Sequence, residues 1–142
     1  MRTENEFQLN IYLAGSEIED CTREWTFPPD SFDFVHMRWL TGSIPDWYHL
    51  FREAYRVLKP GSWIQSYEPS SWIKSDHTEI SPSSALGQWG RIFTEGGKKF
   101  GRPFSAVEDE LQRKGMEAAG FVDIQTFNYK VRLFSNACQI IY

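Results

Sequence analysis

The centre of the chain alternates between apolar and polar segments with the periods of strands and helices. Residues 32–39 are a short aromatic and apolar run between turn-forming residues, which predicts a buried strand of a parallel sheet. Apolar residues then recur from Trp47 to Leu58 with the spacing of one helix face, and Pro60-Gly61 predicts the helix end. Ser62 to Tyr67 predicts another strand. This order predicts a βαβ unit with parallel strands and a right-handed connection.

The start of the predicted helix has a capping sequence. Ser43 is a residue type that accepts hydrogen bonds from free N–H groups at a helix start. Asp46, three residues later, completes a pair that resembles a capping box. Pro45 would then lie in the first turn, where a missing N–H is tolerated.

The segment before this unit holds weaker signals. Leu9, Ile11 and Leu13 alternate with polar or small residues, which predicts a strand that Gly15 ends. Residues 16–20 predict a short continuation of this strand after Gly15. Residues 25–31 predict a loop, because their two prolines cannot donate to a sheet.

The second half of the chain predicts a polar loop over residues 68–82, two helices and a strand. Residues 84–100 have helical spacing but contain four glycines, so we expect a kink near Gly96-Gly97 or very close packing. Their aromatic stripe is more typical of a core than of an acceptor pocket; it consists of Trp89, Phe93 and Phe100. Val107 to Ala119 predicts a helix that Gly120 ends. Phe121 to Leu133 predicts a strand.

Composition narrows the function classes. The 142 residues suit a single domain, residues 1–142, and 41% hydrophobic content is typical of a folded chain. The net charge of -4 disfavours nucleic-acid binding through a broad basic surface. Two distant cysteines and three histidines show no disulfide or metal-ligand spacing, so we expect no metal. The sequence contains no signal-peptide or membrane-spanning run, and we expect a cytoplasmic or nuclear protein without a membrane partner.

Three blocks of sequence, in order, resemble a known family. They are EDCTREWTFPPDSFDFVHMR, AYRVLKPGSWI and ALGQWGRIFTEGGKKFGRPF. Together they resemble the class I S-adenosylmethionine-dependent methyltransferases, in particular the fungal LaeA-like group, over residues 16–130. The resemblance implies an α/β, Rossmann-like methyltransferase fold. It also implies methyl transfer from S-adenosylmethionine and an association with fungal secondary metabolism.

The resemblance further implies where each strand stands. The family's sheet order is 3-2-1-4-5-7-6. On that order residues 16–20 would be the third strand, residues 32–39 the fourth, residues 62–67 the fifth and residues 121–133 the sixth. Cofactor is expected beyond the carboxyl ends of such strands, where the strand order reverses.

Site residues follow from the resemblance position by position. Asp20 corresponds to the acidic residue that receives the adenine amino group, and Cys21 offers a backbone N–H beside the ring. Three residues at the end of the fourth strand would line the methionine part of the cofactor, namely His36, Met37 and Arg38. Tyr67 and Glu68, at the end of the fifth strand, would border the acceptor.

Each of these residues also has a structural interpretation. Asp20 could be an exposed carboxylate before a turn, and His36 a hydrogen-bonded core histidine. Glu68 could equally be a loop carboxylate. Cys21 is more typical of a small buried side chain than of a nucleophile. The methyl group of a sulfonium is already activated, so alignment supplies most of the catalysis and we assign no catalytic residue.

The sequence departs from the family at both ends. It contains no GxGxG motif and no acidic residue in the position that holds the ribose hydroxyls. We therefore expect an incomplete fold, truncated or mispredicted, without the first two strands, their glycine-rich loop and the last strand. The fourth strand would then have an open edge, and our hypothesis is that Leu9 to Leu13, or the third strand, pairs with it.

Two classes of function follow. The first is a methyltransferase that acts on an unknown small-molecule or protein acceptor. The second is a non-catalytic methyltransferase-like module that binds a protein partner, or an inactive truncated product. Binding of S-adenosylmethionine distinguishes them.

Overall fold

A computed structural model describes residues 20–131 as five elements in the order strand, helix, strand, helix, helix. They are β1 (Phe32–Arg38), α1 (Trp47–Val57), β2 (Leu58–Tyr67), α2 (Ala85–Phe100) and α3 (Leu111–Ala119). The predicted strand over residues 9–13 and residues 16–19 of its continuation lie outside the described residues. Residues 132 and 133 of the predicted final strand also lie outside them.

The central βαβ unit is confirmed. β1 and β2 pair in parallel, with Val35 opposite Ile64 and Arg38 opposite Tyr67. The register shifts between Phe32 and Phe34, because β2 holds extra residues at the Pro60-Gly61 turn. A parallel neighbour of this kind is what the α/β fold class requires.

Both ends of α1 differ from the prediction. The helix begins at Trp47, and its cap is Asp46, whose side chain accepts from the N–H of His49. Ser43 is not the cap, because it lies in a preceding turn and donates its N–H to Leu40 O. The helix ends at Val57, before the Pro-Gly pair, because Leu58 is already extended and pairs with β1.

The core lies between the sheet, α1 and α3. The predicted apolar stripe of α1 is fully buried, at Trp47, Leu50, Phe51, Ala54 and Val57. The core cluster also contains Met37 from β1 and Met116 from α3, with Val35 and Ile64 packed against it. Ile44 and Ala106, from the segments that precede α1 and α3, belong to it as well. Burying a side chain of this size contributes about 1.5–3 kcal/mol, so the apolar stripe is a main source of stability.

One face of the sheet is covered and the other is open. Met37 is 5% exposed on the α1 side, whereas Phe34 and Trp63 are 52% and 70% exposed on the other side. The prediction that residues 32–39 form a fully buried strand is therefore wrong for the part of the chain that the structure describes. The reason is that the helices packed on this sheet, α1 and beyond it α3, lie on a single side.

The glycine-rich helix α2 is continuous from Ala85 to Phe100, with Ser84 as its cap. The close-packing alternative is confirmed. A side chain at Gly90 would collide with the Trp72 ring, and one at Gly97 with Phe104. The aromatic stripe is not core among the described residues, because Trp89 and Phe100 are exposed and only Phe93 packs on Phe104.

The last helix and the last strand are shorter than predicted. α3 begins at Leu111, four residues later than expected, because residues 106–110 form turns. Gly120 ends the helix in a left-handed conformation, as predicted. Residues 121–131 form no strand, so that prediction is wrong within the described residues. A strand needs a hydrogen-bonding neighbour, and the described sheet contains β1 and β2 alone.

Candidate functional site

An open cleft of about 410 Å³ lies beside β1. Four consecutive residues of β1 line it, together with four residues from other segments: Cys21, Trp25, Val35, His36, Met37, Arg38, Leu40 and Leu50. Successive strand residues point to opposite faces of a sheet. A cleft that touches four in a row therefore meets the edge of β1 rather than either face.

The cleft brings together four of the five residues predicted for the cofactor side. Cys21, His36, Met37 and Arg38 line it. Asp20, the fifth, is exposed and precedes Cys21 directly. Asp20 also begins a tight turn, because its carbonyl accepts from the N–H of Arg23 at 3.0 Å.

Asp20 is charged at neutral pH. Its Oδ1 accepts from the Thr22 hydroxyl at 2.7 Å and from the Thr22 N–H at 3.0 Å. These two bonds lower the pKa of the Asp20 carboxyl, and Arg23, with its Nε 3.2 Å from Oδ2, adds to the effect. The carboxylate is therefore a ready hydrogen-bond acceptor beside the cleft.

Cys21 is a half-buried wall residue. Burial raises the pKa of its thiol, and the negative charge of Asp20 raises it further. The thiol therefore stays protonated at neutral pH, whereas a nucleophilic cysteine needs a lowered pKa. The carbonyl of Cys21 accepts from the indole N–H of Trp25 at 3.2 Å, which holds both residues in the same wall.

The residues at the end of β1 divide between the two faces of the sheet. Met37 is buried in the core, and His36 and Arg38 are exposed on the open face. His36 Nδ1 lies 3.1 Å from Gln65 Oε1 on β2. An amide oxygen accepts, so Nδ1 is the donor in this contact. His36 is thus not a core histidine.

Tyr67 and Glu68 end β2 next to the same loop. Tyr67 is 37% exposed, and its carbonyl accepts from the N–H of Trp39. Glu68 Oε1 accepts from Leu40 N–H at 3.0 Å, and Oε2 accepts from the N–H and hydroxyl of Thr41, both at 2.8 Å. Both carboxylate oxygens therefore hold the loop after β1, which also supplies Leu40 to the cleft wall.

A buried carboxylate paired with a partly exposed arginine, which the sequence analysis missed, holds the opposite wall, the segment that carries Cys21 and Trp25. Glu53 is 8% exposed, and its Oε2 accepts from Trp25 N–H at 2.9 Å and from Arg56 Nη2 at 2.7 Å. Arg56 also donates to the carbonyls of Trp25 and Phe27. The available signal was a carboxylate inside the apolar stripe of a helix, three residues after Leu50 and three before Arg56.

Within residues 20–131 no group of three or more histidine, cysteine or acidic side chains is arranged to bind a metal ion. Within the same range no helix has both the length and the apolarity to cross a bilayer.

Comparison with known proteins gives a consistent result. A family model described as "Methyltransferase domain" matches residues 12–126. The chain is 35% identical over 114 residues to "Probable methyltransferase tdiE" of Emericella nidulans, covering 80% of this chain and 34% of that protein. It is 33% identical over 107 residues to "Secondary metabolism regulator LAE1" of Cochliobolus heterostrophus, covering 75% and 34%. It is 29% identical over 100 residues to "Secondary metabolism regulator laeA" of Aspergillus fumigatus, covering 70% and 26%.

The chain thus spans about a third of the length of the curated relatives it matches. No solved structure gives a significant match. The family match nevertheless covers most of the chain, including both strands of the described sheet and the residues that line the cleft. The chain therefore belongs to the methyltransferase domain family, as a LaeA-like member of the class I S-adenosylmethionine-dependent methyltransferases.

Proposed function

We propose that this chain forms one wall of the cofactor site of a methyltransferase that acts on a small-molecule or protein acceptor. The observation that supports the proposal is the cleft at the β1 edge. It gathers Cys21, Met37 and Arg38 beside a charged Asp20. Ligand pockets typically measure about 300–1,000 Å³, and the cleft is within that range.

The residues of the cleft suit an adenosyl group. A carboxylate offers about four lone-pair positions. Three at Asp20 are engaged by Thr22 and Arg23, which leaves one for an amino group. The neighbouring Cys21 N–H would donate to a ring nitrogen. Apolar side chains of Trp25 and Leu50 would exclude water from the ring.

S-adenosylmethionine, when bound, supplies a methyl group on a positively charged sulfur, and the acceptor's lone pair displaces the sulfur from that carbon. The protein's own contribution is to bind and to orient. His36 and Arg38 would border the methionine part of the cofactor. Tyr67 would border the acceptor, and Glu68 would act as a positioning residue through the Leu40 and Thr41 loop.

The same proposal extends to the sheet. We propose that β1 and β2 are the fourth and fifth strands of a Rossmann-like sheet that is incomplete in this chain. The first two strands with the glycine-rich loop, and the last strand, have no counterpart that we recognise in the sequence. Adjacent parallel strands joined by a helix support this correspondence.

A second candidate function is a non-catalytic methyltransferase-like module that binds a protein partner. Two observations favour it: the sequence lacks a GxGxG motif, and large apolar side chains are exposed on the open sheet face and on α2. The names of the LAE1 and laeA relatives describe regulators of secondary metabolism. For either candidate function we propose that this chain acts in secondary metabolism.

Cofactor binding tests the proposal. Isothermal titration of the full chain with S-adenosylmethionine should report binding. The intrinsic tryptophan fluorescence, to which Trp25 in the cleft wall contributes, should change as well. Asp20→Asn should weaken binding by about 10-fold or more, because a hydrogen bond to a charged group contributes about 1.5–3 kcal/mol. Asp33→Asn is the matched control, since Asp33 is an exposed β1 residue whose carboxylate pairs with Lys59 outside the cleft.

The two candidates give different results. Absence of binding at millimolar S-adenosylmethionine by a folded chain would overturn the cofactor proposal and favour the non-catalytic module. Binding that Asp20→Asn and Asp33→Asn weaken equally would overturn the role of Asp20. S-adenosylhomocysteine provides a second probe, because it shares the adenosyl group but lacks the positive charge on sulfur.

A further inference from the structure

Helix α2 is held against the rest of the chain along one side. Gly90 lies against the Trp72 ring, and Gly97 lies against Phe104. The two glycines are seven positions apart, which is about two turns of a helix, so they belong to the same side. Their contacts fix the direction in which the remaining sides of α2 point.

A row of large apolar side chains is exposed along another side of α2. Its four members are between 46% and 82% exposed, namely Leu86, Trp89, Ile92 and Phe100. Side chains three or four positions apart lie on one side of a helix. Gly96 is four positions from both Ile92 and Phe100 and therefore belongs to the same row. We call these five residues the α2 stripe.

The α2 stripe is large enough to form an interface. An aromatic side chain presents about 150–250 Å² when it is fully exposed, and at these exposed fractions the four side chains leave roughly 350–600 Å² open to solvent on one copy. The largest apolar patch on a typical monomer is of this size and is often functional. Two copies packed through the stripe would bury roughly 700–1,200 Å², which reaches the lower end of the range for specific interfaces.

The shape of the α2 stripe is self-complementary. A Cβ at Gly96 would meet no atom within 4 Å, so this position is an open gap between Ile92 and Phe100. Trp89 lies seven positions earlier, about two turns along the same side. Both are equally far from the point midway between Ile92 and Phe93. A two-fold axis through that point would therefore place each Trp89 over the Gly96 of the other copy.

We propose that this chain forms a two-fold dimer in which the α2 stripes of two copies pack antiparallel, with each Trp89 inserted over the partner's Gly96. Antiparallel helices also bring opposite ends of their dipoles together. Lys99 follows Gly96 by about one turn, and the two Lys99 side chains would lie about 20 Å apart along the pair, so they would not repel each other strongly. None of the described residues that line the cofactor cleft belongs to α2, so the dimer leaves the cleft open.

Sedimentation equilibrium of the full chain tests the proposal. The mass should rise with concentration toward twice that of one copy, with a dissociation constant in the micromolar range, because an interface of this size is at the weak end of specific ones. Ile92→Glu should raise the dissociation constant at least about 100-fold, since it places two like charges beside the axis. Val122→Glu is the matched control, because Val122 is a β-branched residue that is 81% exposed outside α2. This control should leave the dissociation constant unchanged.

Gly96→Leu distinguishes the proposed packing from unspecific hydrophobic association. The substitution fills the gap that Trp89 of the other copy would occupy, so it should raise the dissociation constant about tenfold or more. Unspecific association would instead become stronger, because the leucine adds exposed apolar surface. Ile92 is exposed and Gly96 has open space around it, so both variants should fold, which circular dichroism and urea unfolding verify.

Three results would overturn the proposal. The first is a single-copy mass up to about 500 µM, well above a micromolar dissociation constant. The second is a dimer that Ile92→Glu leaves as stable as Val122→Glu does. The third is association that Gly96→Leu strengthens, or that continues beyond two copies. Failure to bind S-adenosylmethionine would bear on the proposed function alone, because none of these measurements uses the cofactor.

Discussion

Removing the charge of Glu53 should destabilise the fold although the residue lies outside the candidate cofactor contacts. Glu53 joins α1 to the segment that carries Cys21 and Trp25, through Trp25 N–H and Arg56. Glu53→Gln keeps the size of the side chain and one acceptor oxygen. It removes the charge and places an amide N–H₂ group near the Arg56 guanidinium.

The expected cost follows from the two lost interactions. A hydrogen bond to a charged acceptor contributes about 1.5–3 kcal/mol and a neutral one about 0.5–1.5 kcal/mol, so the bond from Trp25 loses about 1 kcal/mol. The ion pair should lose about 1 kcal/mol more, since the Arg56 side chain is 33% exposed and solvent screens it. The total is about 2 kcal/mol, or a fall in Tm of roughly 6–8 °C for a domain of this size.

Urea unfolding followed by tryptophan fluorescence measures this cost. Glu117→Gln is the control, because its ion pair with Arg113 lies on the surface of α3, where the Glu117 side chain is 52% exposed. That variant should cost less than about 0.5 kcal/mol. A Glu53→Gln cost no larger than the Glu117→Gln cost would refute the claim that Glu53 holds this wall.

The stabilisation that Glu53 contributes should also depend on pH. The hydrogen bonds from Arg56, and the N–H of Trp25, lower the pKa of Glu53 below its ordinary value of 4.5. Its stabilising contribution is therefore complete above pH 4.5 and is lost as pH falls through the folded-state value. The difference between the original chain and Glu53→Gln should be full at pH 7 and should shrink toward pH 3.

The remaining predictions use the same unfolding assay. Asp46→Ala should cost about 1 kcal/mol because it removes the cap of α1, whereas Ser43→Ala should change stability by less than about 0.5 kcal/mol. If the two substitutions lowered the free energy of unfolding equally, the assignment of Asp46 rather than Ser43 as the cap would be contradicted. Gly42→Ala should cost at least about 2 kcal/mol, because its φ is 77° and a Cβ there would overlap the Phe104 ring. Gly61→Ala, with φ of 79° but open space around it, should cost only about 1 kcal/mol, and an equal cost would contradict the overlap argument.

Local patterns predicted most of the central unit. The buried face of α1 could be predicted because Leu50, Ala54 and Val57 repeat with the helical period. The cap was misassigned because Ser43 and Asp46 are both good capping residues, and only the backbone conformation distinguishes them. The helix end was placed too late because Leu58 has to leave the helix in order to pair with Phe32.

The site was predicted by resemblance rather than by pattern, and the structure adds its arrangement. Cys21 and His36 are 15 positions apart in the chain, yet they line one cleft. The engagement of Glu68 by Leu40 and Thr41 had no local signal, because it joins the ends of two parallel strands. The prediction of a strand over residues 121–133 was wrong within the described residues for a related reason. β propensity is a local property, but a strand exists only beside another strand to which it is hydrogen-bonded.

Taken by itself, the sequence determined the βαβ centre, the apolar stripe that buries α1, and the family to which the chain belongs. These properties depend on residue spacing and on short motifs, which any chain carries before it folds. Only the tertiary structure decided that β1 has one covered face, one open face and an outer edge that lines a cleft. Those properties depend on which helices and strands surround β1, and neighbours in space are distant in the chain.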